Sequence, residues 1–102
     1  MKLSSDSVIS SQKLTHYLLV SNEEGDKSKF LAKGGYTLDS WEVLAADLRA
    51  LLNEEATLQR QNEFGDFFEI TGQLGGGITV KTIWLLEHGQ DVARFITLIP
   101  IT

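Results

Sequence analysis

Residues 39–63, DSWEVLAADLRALLNEEATLQRQNE, contain the change of pattern that decides the fold. Up to Leu52 the apolar residues recur every three or four positions, as they do on one face of an α-helix. After Glu55 the period becomes two, as in a β-strand with one solvated face. The members of the helical stripe are Trp41, Leu44, Ala45, Leu48, Leu51 and Leu52. The stretch therefore predicts a helix that packs on a flat apolar surface, followed by a sheet.

Two shorter helices are predicted before this one. The first covers residues 10–20 and places three apolar side chains on one face: Leu14, Tyr17 and Leu18. The second covers residues 27–33, with Asp26 as its N-cap and Gly34-Gly35 as its end. Both are shorter than the third helix, so they depend on packing for their stability.

The long helix has start signals of its own. Asp39 is suited to cap it, while Leu38 and Val43 are placed to form a hydrophobic staple across the cap. Residues 1–9 are rich in serine, and we expect them to form a flexible N-terminal arm. Residues 10–102 then form a single α+β domain.

Four strands are predicted over residues 56–63, 67–74, 78–86 and 92–99. Turns of two to five residues separate them, including Gly65-Asp66 and Gly75-Gly76-Gly77, and such short turns allow only antiparallel pairing. In the second strand Phe68, Ile70 and Leu74 are expected on the core face. The fold class is α+β, with three N-terminal helices packed on one face of a four-stranded antiparallel β-meander.

Composition limits the possible functions. The chain has 102 residues, a net charge of −5 and no cysteine, so one domain must be stabilised without disulfides or thiolate metal sites. The negative charge disfavours nonspecific nucleic-acid binding, and the local basic cluster is Lys27, Lys29 and Lys33. The first residues contain no apolar run typical of a secretory signal, and no stretch is long and apolar enough to span a bilayer. We expect a cytoplasmic protein that does not act at a membrane.

Metal and serine-hydrolase motifs are absent from the sequence. The two histidines, His16 and His88, do not form an HxH or HExxH pattern, and no Gly-x-Ser-x-Gly turn occurs. We therefore expect no metal and no cofactor. His88 is interpreted as a surface turn residue, whereas His16 is either a general base or a half-buried helix residue.

Arginines occupy strand positions where alternation predicts the core. Arg60 shares a predicted face with Leu58, and Arg94 shares one with Ile96 and Leu98. A polar group on such a face needs a partner or a ligand. Arg94 is therefore either an anion clamp or a member of a structural ion pair, with Asp91 or Glu69 as the partner.

Three blocks of sequence carry a resemblance that extends over residues 13–97. They are Lys13-Leu14-Thr15-His16-Tyr17-Leu18-Leu19; Gly25-Asp26-Lys27-Ser28-Lys29-Phe30-Leu31 with Gly35-Tyr36; and Lys81-Thr82-Ile83-Trp84 with Glu87, Gly89, Asp91, Arg94 and Thr97. The chain resembles an uncharacterised bacterial domain family, found as stand-alone proteins and as C-terminal domains of phage head-associated and polymorphic-toxin proteins. It departs from that pattern at Lys81, where arginine is usual, and at Ala93, where proline is usual.

The resemblance implies a candidate site. Toxin-associated members are similar to the barnase–EndoU–colicin–RelE group of metal-independent ribonucleases, which also place helices before a four-stranded antiparallel sheet. In a ribonuclease of this kind His16 would be the base, and Lys27 and Arg94 would supply positive charge. Thr82 and Thr97 would orient the substrate. Trp84 either stacks on a base or packs beneath the third helix.

Two functions follow from the sequence, and whether the protein is an enzyme is left open between them. The first is a non-catalytic interaction or accessory module that binds a protein partner or a small anionic ligand around Arg94. The alternative is a toxin-like, metal-independent ribonuclease acting on RNA, for which Lys27, Arg94 and either His16 or Thr97 should converge in one open cleft. A homo-oligomer through a sheet edge is also expected to be possible, because an open meander leaves edge strands unpaired.

Overall fold

The computed structural model describes residues 1–20 and 27–101. Its helical segments are α1 (Ser11–Lys13), which continues as a π-helical turn (Leu14–Leu18), then α2 (Ser28–Lys33), a 3-10 turn (Leu38–Ser40), α3 (Trp41–Ala50) and a second 3-10 turn (Leu51–Asn53). Its strands are β1 (Thr57–Asn62), β2 (Gly65–Gln73), β3 (Thr79–Glu87) and β4 (Arg94–Pro100). The predicted N-cap Asp26 lies outside the described residues.

The four strands form one sheet in the order β1-β2-β3-β4, and each neighbouring pair is antiparallel. This confirms the α+β class, the antiparallel meander and the change of period after Glu55. The strands β1 and β4 are the two edges. Pro100, which has no N–H to donate, ends β4, as is usual for proline in an edge strand.

The main core lies between one face of the sheet and the helical segments. The α3 stripe contributes Leu44 and Leu48, both 0% exposed, and Trp41 packs against the same cluster. The cluster takes alternate residues of the central strands and of β4, together with Leu74 just after β2; the strand residues are Phe68, Ile70, Val80, Trp84 and Leu98. The apolar stripe of α3 and the inward residues of β2 are therefore as the sequence predicts.

The helical layer is more divided than the predicted set of three helices. The N–H of Leu19 donates to the carbonyl of Leu14 at 3.0 Å, five residues back, so the first helix widens into a π-helical turn. This wider turn keeps Leu14 and Leu18 buried but leaves Tyr17 56% exposed. The prediction that Tyr17 shares their apolar face is therefore wrong.

The start of α3 also differs from the prediction. The Thr37 N–H donates to Ser40 Oγ at 3.2 Å, so a Thr-Ser pair closes the 3-10 turn that leads into the helix. Leu38 and Val43 are 45% and 53% exposed, so they do not close a staple. The prediction of Asp39 as the cap and of this staple is wrong because the extra 3-10 turn moves the cap towards the N-terminus.

Two β-bulges explain the arginines that alternation assigned to the core. In β1 the pairs are Leu58 with Phe68 and Arg60 with Phe67, which leaves Gln59 as an extra residue. One extra residue transfers everything beyond it to the opposite face. Arg60 therefore lies on the outer face of the sheet, where its guanidinium is 4.5 Å from the centre of the Phe67 ring.

The second bulge is in β4. Thr97 pairs with Ile83 and Phe95 pairs with Trp84, so Ile96 is the extra residue. Arg94 pairs with Leu85 and shares the outer face with Ile83 and Leu85, two residues of a small apolar cluster. The sequence-based assignment of Arg94 to the face of Leu98 is wrong for the same reason as that of Arg60 to the face of Leu58.

The N-terminal residues 1–9, for which the sequence predicts a flexible arm, lie against the domain in this structure. Leu3 is buried in the main core, and Ser7 is 0% exposed. Val8 pairs with Arg94 in a parallel bridge, and its carbonyl accepts from the Phe95 N–H at 2.8 Å. These contacts cover the beginning of the outer edge of β4.

The glycines of the turns have separate structural roles. The hairpin between β2 and β3 turns at Gly75-Gly76-Gly77, as predicted, and the Gly76 N–H donates to the Tyr36 hydroxyl at 2.9 Å. That hydroxyl donates to Asp47 on α3, and burial with this carboxylate raises the pKa of Tyr36 to about 12. Gly65 is not in a turn as predicted: it is the first residue of β2, and a Cβ there would lie 2.3 Å from the Leu86 carbonyl oxygen.

Candidate anion-binding site

A groove of about 590 Å³ lies between the π-helical turn and the outer edge of β4. We call it the cationic groove because the side chains around it include two lysines and a histidine. Its lining residues are Gln12, Lys13, His16, Tyr17, Lys27, Ile96 and Thr97.

The first helical segment orients one wall of the cationic groove. Leu14 and Leu18 are buried in the core and fix the segment against it. Residues three and four apart lie on one side of a helical turn, so Lys13, His16 and Tyr17 project together away from that apolar contact. The same short sequence therefore supplies an anchored face and a polar face.

Lys13 is fixed to the edge strand by a hydrogen bond. Its Nζ donates to the Ile96 carbonyl at 2.9 Å. Ile96 is the bulge residue, and its carbonyl points from the strand edge towards the helical turn. A neutral carbonyl orients the ammonium without cancelling its charge, so Lys13 keeps its attraction for an anion.

Lys27 also lines the cationic groove and is fixed to the same edge strand. Its Nζ donates to Thr97 Oγ1 at 2.9 Å, and Thr97 Oγ1 lies 3.4 Å from the Leu98 carbonyl, to which it donates. Burial lowers the pKa of Lys27, because the protein removes water from around the ammonium. A bound anion would compensate for that lost hydration.

The charge of the cationic groove is of one sign over the part of the chain that the structure describes. None of its described lining residues is an aspartate or a glutamate. This is unusual in a chain of net charge −5, where acidic residues outnumber basic ones. Lys13, Lys27 and an exposed His16 together present several N–H donors to one concave space, the arrangement that carboxylate or phosphate oxygens require.

A second, smaller groove of about 360 Å³ adjoins the first. We call it the Arg94 groove. Lys13 and Ile96 line both grooves, and the N-terminal segment contributes Val8 and Ser10 to the second. Arg94 Nε is 3.4 Å from Glu87 Oε1, and both side chains are about half exposed. The ion-pair partner is therefore neither Asp91 nor Glu69; Glu69 instead lies 3.7 Å from Lys81.

The residues proposed from the resemblance occupy three different places. His16, Lys27 and Thr97 line the cationic groove, and Arg94 lines the adjoining one. Thr82 is 0% exposed and lies in the core. Its hydroxyl donates to the Ile70 carbonyl at 2.9 Å and accepts from Trp84 Nε1 at 2.8 Å, so it is already satisfied.

Trp84 packs rather than stacks on a ligand. It is fully buried, and its ring meets Phe95 edge to face with centroids 5.3 Å apart. Of the two alternatives for this residue, packing in the core is the one that the structure supports.

Sequence reasoning did not identify Lys13, Tyr17 or the Ile96 carbonyl as part of a site. A signal was present for Lys13 and Tyr17, which stand three residues before and one residue after His16 on the same helical segment. No sequence signal marked the Ile96 carbonyl, because the bulge that directs it outward depends on strand register.

His88 lies apart from this surface, and the described residues form no candidate metal site. His88 is exposed at the β3–β4 turn, and its Nε2 is 3.2 Å from the Asn62 carbonyl oxygen. Over residues 1–20 and 27–101 no group of three or more His, Asp or Glu side chains is arranged to hold a metal ion. Nor does any helix in those residues combine the length and apolarity needed to cross a bilayer.

Comparison with known proteins gives one match. A family model described as "Domain of unknown function (DUF6883)" matches residues 2–102. Neither the curated proteins nor the solved structures contain a match to this chain. Because the matched region covers almost the whole sequence, the protein belongs to the domain family of unknown function DUF6883.

Proposed function

We propose that the protein is a non-catalytic binding module whose cationic groove takes an anionic ligand, with a phosphate group as the part recognised there. The observation that carries this proposal is the convergence of Lys13, His16 and Lys27 on one groove that no described carboxylate lines. Buried or half-buried cations are normally paired, and here the described neighbours of the two ammonium groups are a carbonyl and a hydroxyl.

Lys27 is the group that gains most from an anion. Its lowered pKa reflects the loss of water around a charged amine. Contact with a phosphate oxygen replaces that water with an ionised acceptor, and a hydrogen bond between charged partners contributes about 1.5–3 kcal/mol. Thr97 accepts from Lys27 and donates its one hydroxyl proton to the Leu98 carbonyl, so its role is to hold the ammonium beside the ligand.

The size and lining of the cationic groove favour an organic anion over a bare ion. A volume of about 590 Å³ falls in the range of about 300–1,000 Å³ common for small-molecule sites. The exposed ring of Tyr17 and the side chain of Ile96 add apolar surface beside the cations. The ligand is therefore expected to carry an apolar or aromatic part next to its phosphate.

Inorganic phosphate is the simplest probe of this proposal. Titration at low ionic strength, followed by NMR, should move signals of Lys13, His16 and Thr97. The Lys27→Gln variant should weaken binding by about tenfold, the loss of one charge-assisted hydrogen bond. Lys33→Gln removes the same charge from the exposed end of α2 and should change the affinity less than about twofold. Equal effects of the two variants would contradict a specific site.

A second candidate function is metal-independent cleavage of RNA. It is favoured by one specific observation: His16, Lys27 and Thr97 line the same groove, with Arg94 in the adjoining one. It also agrees with the resemblance to toxin-associated domains. Thr82 is omitted from this candidate site because its hydroxyl is buried and already bonded.

The chemistry of this candidate can be written with the residues present. Neutral His16 accepts the proton of a ribose 2′-hydroxyl, and that oxygen attacks the neighbouring phosphorus. The bond from phosphorus to the 5′-oxygen breaks, the 5′-oxygen takes a proton from Lys27, and a 2′,3′-cyclic phosphate remains. Lys13 and Arg94 would stabilise the negative charge of the transition state.

Incubation with total RNA in the presence of a chelator distinguishes the two functions. A ribonuclease leaves fragments that end in a 2′,3′-cyclic phosphate, and the His16→Ala and Arg94→Ala variants lose that activity. A binding module leaves the RNA intact while phosphate still shifts the NMR signals of the groove. The second outcome is the one expected from the primary proposal.

The wider setting of the protein is part of the same proposal. We place it in the bacterial cytoplasm, in a phage- or toxin-associated context, with a protein or RNA as the larger partner. Association of two copies through a sheet edge would use β1, because the N-terminal segment covers part of β4.

A further inference from the structure

We propose that the ligand carries two phosphate groups, the first held by Lys27 in the cationic groove and the second by Arg94 in the adjoining groove. This inference rests on the proposed binding function and names its ligand class. The two grooves share Lys13 and Ile96, so they form one continuous surface with Lys13 in the middle.

The β4 bulge is the structural reason that both ends of this surface exist. Arg94 and Thr97 are three residues apart, which in a regular strand places them on opposite faces. The extra residue Ile96 puts both on the outer face, because their partners Leu85 and Ile83 share that face of β3. Bulges frequently redirect side chains in this way beside binding sites. Thr97 receives the Lys27 ammonium, so the bulge sets Arg94 beside the phosphate position.

Lys13 connects the two positions. Its ammonium is fixed by the Ile96 carbonyl at 2.9 Å, which is the backbone group between Arg94 and Thr97. From there it can donate to an oxygen of either phosphate. A ligand with one phosphate would satisfy Lys27 and Lys13 and leave Arg94 unused.

Glu87 competes with the second phosphate for Arg94. Arg94 and Glu87 are joined by one contact, from Nε to Oε1 at 3.4 Å, and both side chains are about half exposed. Exposed ion pairs of this kind contribute little to the free energy of unfolding. A phosphate offers the guanidinium two oxygens and a higher negative charge, so it forms the stronger, bidentate contact. The pair thus holds Arg94 at the groove in the absence of ligand and yields when the second phosphate arrives.

Calorimetry with inorganic phosphate and tripolyphosphate tests the inference. Tripolyphosphate should bind more tightly than phosphate to the unmodified protein. Arg94→Gln should lower the tripolyphosphate affinity by about tenfold and the phosphate affinity by less than about twofold. Arg60→Gln removes the same charge from the other edge strand and is the matched control. Glu87→Gln should raise the tripolyphosphate affinity by about threefold, because it removes the competing carboxylate.

The outcomes separate this inference from the proposed function. In one outcome, phosphate binds and Lys27→Gln weakens that binding, but Arg94→Gln and Arg60→Gln lower the tripolyphosphate affinity equally. The second phosphate position is then wrong, and the proposed binding function stands. If phosphate does not bind the unmodified protein, the proposed function itself fails. A parallel titration with the dinucleotide pTpT identifies the source of the two phosphates. If pTpT binds more tightly than tripolyphosphate, the natural ligand is the end of a nucleic acid. If pTpT binds more weakly, the natural ligand is a small molecule.

Discussion

The two edge strands of the sheet use the same structural device and produce different surfaces. Each contains one bulge, at Gln59 in β1 and at Ile96 in β4, and each bulge turns an arginine to the outer face. Arg60 then lies on the Phe67 ring and covers an apolar side chain. Arg94 instead lines a groove together with Lys13.

The difference comes from what lies beside each edge. All six residues of β1 are exposed. Along β4 the bridge at Val8 and the first helical segment, which carries Lys13 at the end of α1, build a wall, and the space between wall and strand becomes concave. A redirected arginine covers its own sheet where the edge is open, and it becomes a binding group where a second element encloses it.

Deletion of the bulge residues should produce the largest contrast between the edges. Without Ile96, Arg94 and Thr97 stand two residues apart and keep the outer face, but the half-buried Ile96 side chain no longer packs on the outer apolar cluster and Lys13 loses the carbonyl that fixes it. We expect a loss of about 2–3 kcal/mol in the free energy of unfolding, the lower part of the range for truncation of a buried aliphatic side chain. Deletion of Gln59 removes an exposed residue and leaves Arg60 opposite Phe67, so the loss should stay within about 0.5 kcal/mol. Urea unfolding measures both, and equal losses would contradict the comparison.

The contribution of the N-terminal segment, which covers part of the β4 edge, to the free energy of unfolding can be measured through Ser7. Ser7 is 0% exposed, and its Oγ accepts from the Ala93 N–H at 3.1 Å. Ser7→Ala leaves that buried N–H without an acceptor, so we expect a loss of about 1–3 kcal/mol. Ser5 is exposed and binds Arg49 through its backbone carbonyl, so Ser5→Ala should be close to neutral. A neutral Ser7→Ala variant would indicate that the N-terminal segment contributes nothing to the edge.

Alkaline pH should reveal the burial of Lys27 beside β4. The pKa of Lys27 is lowered on folding, so between that value and its ordinary 10.5 the unfolded chain binds more protons and stability gains with rising pH. The pKa of Tyr36 is raised from its ordinary 10.0 to about 12, so its contribution lowers the stability of the folded protein as the pH rises above 10.0.

The contribution of Lys27 is obtained as the difference in stability between the unmodified protein and the Lys27→Met variant. The stability of the unmodified protein relative to Lys27→Met should increase with pH below 10.5, since the Tyr36 contribution is common to both proteins. Thermal unfolding at a series of pH values provides the measurement, and a flat difference for Lys27→Met would show that its burial has no energetic consequence.

The arginine substitutions should have the smallest effects on stability. Arg60→Gln loses a contact with Phe67 that contributes about 0.5–1 kcal/mol when exposed. Arg94→Gln loses an exposed ion pair that contributes about 0–1 kcal/mol. Chemical denaturation should show both variants to be near the unmodified protein, so that a loss of ligand binding in Arg94→Gln alone cannot be attributed to unfolding.

The fold was largely predictable because its signals are local. The helical stripe from Trp41 to Leu52 and the alternation in β2 each follow from one segment of sequence, and the short turns leave only antiparallel neighbours. The division of the helical layer was not predictable in this way. The π-helical turn that exposes Tyr17 depends on how Leu14 and Leu18 fit the core, which no local pattern encodes.

The candidate site was only partly predictable, because it depends on register. His16, Lys27 and Thr97 came from the resemblance, and the structure brings their side chains to one groove. Alternation placed Arg94 on the wrong face, since a single-residue bulge reverses every assignment beyond it. Thr82 looked suitable in sequence, but its partners Ile70 and Trp84 become visible only when the strands are paired.

The most direct test of the central claim is an NMR titration of the intact protein with inorganic phosphate at low ionic strength. The claim is that the β4 edge, and not the β1 edge, is built to bind an anion. It predicts saturable shifts at Lys13, His16, Lys27 and Thr97, with a midpoint phosphate concentration that rises about tenfold in Lys27→Gln and less than about twofold in Lys33→Gln. Shifts centred on Arg60 and the rest of β1, or shifts that Lys27→Gln leaves unchanged, would contradict it.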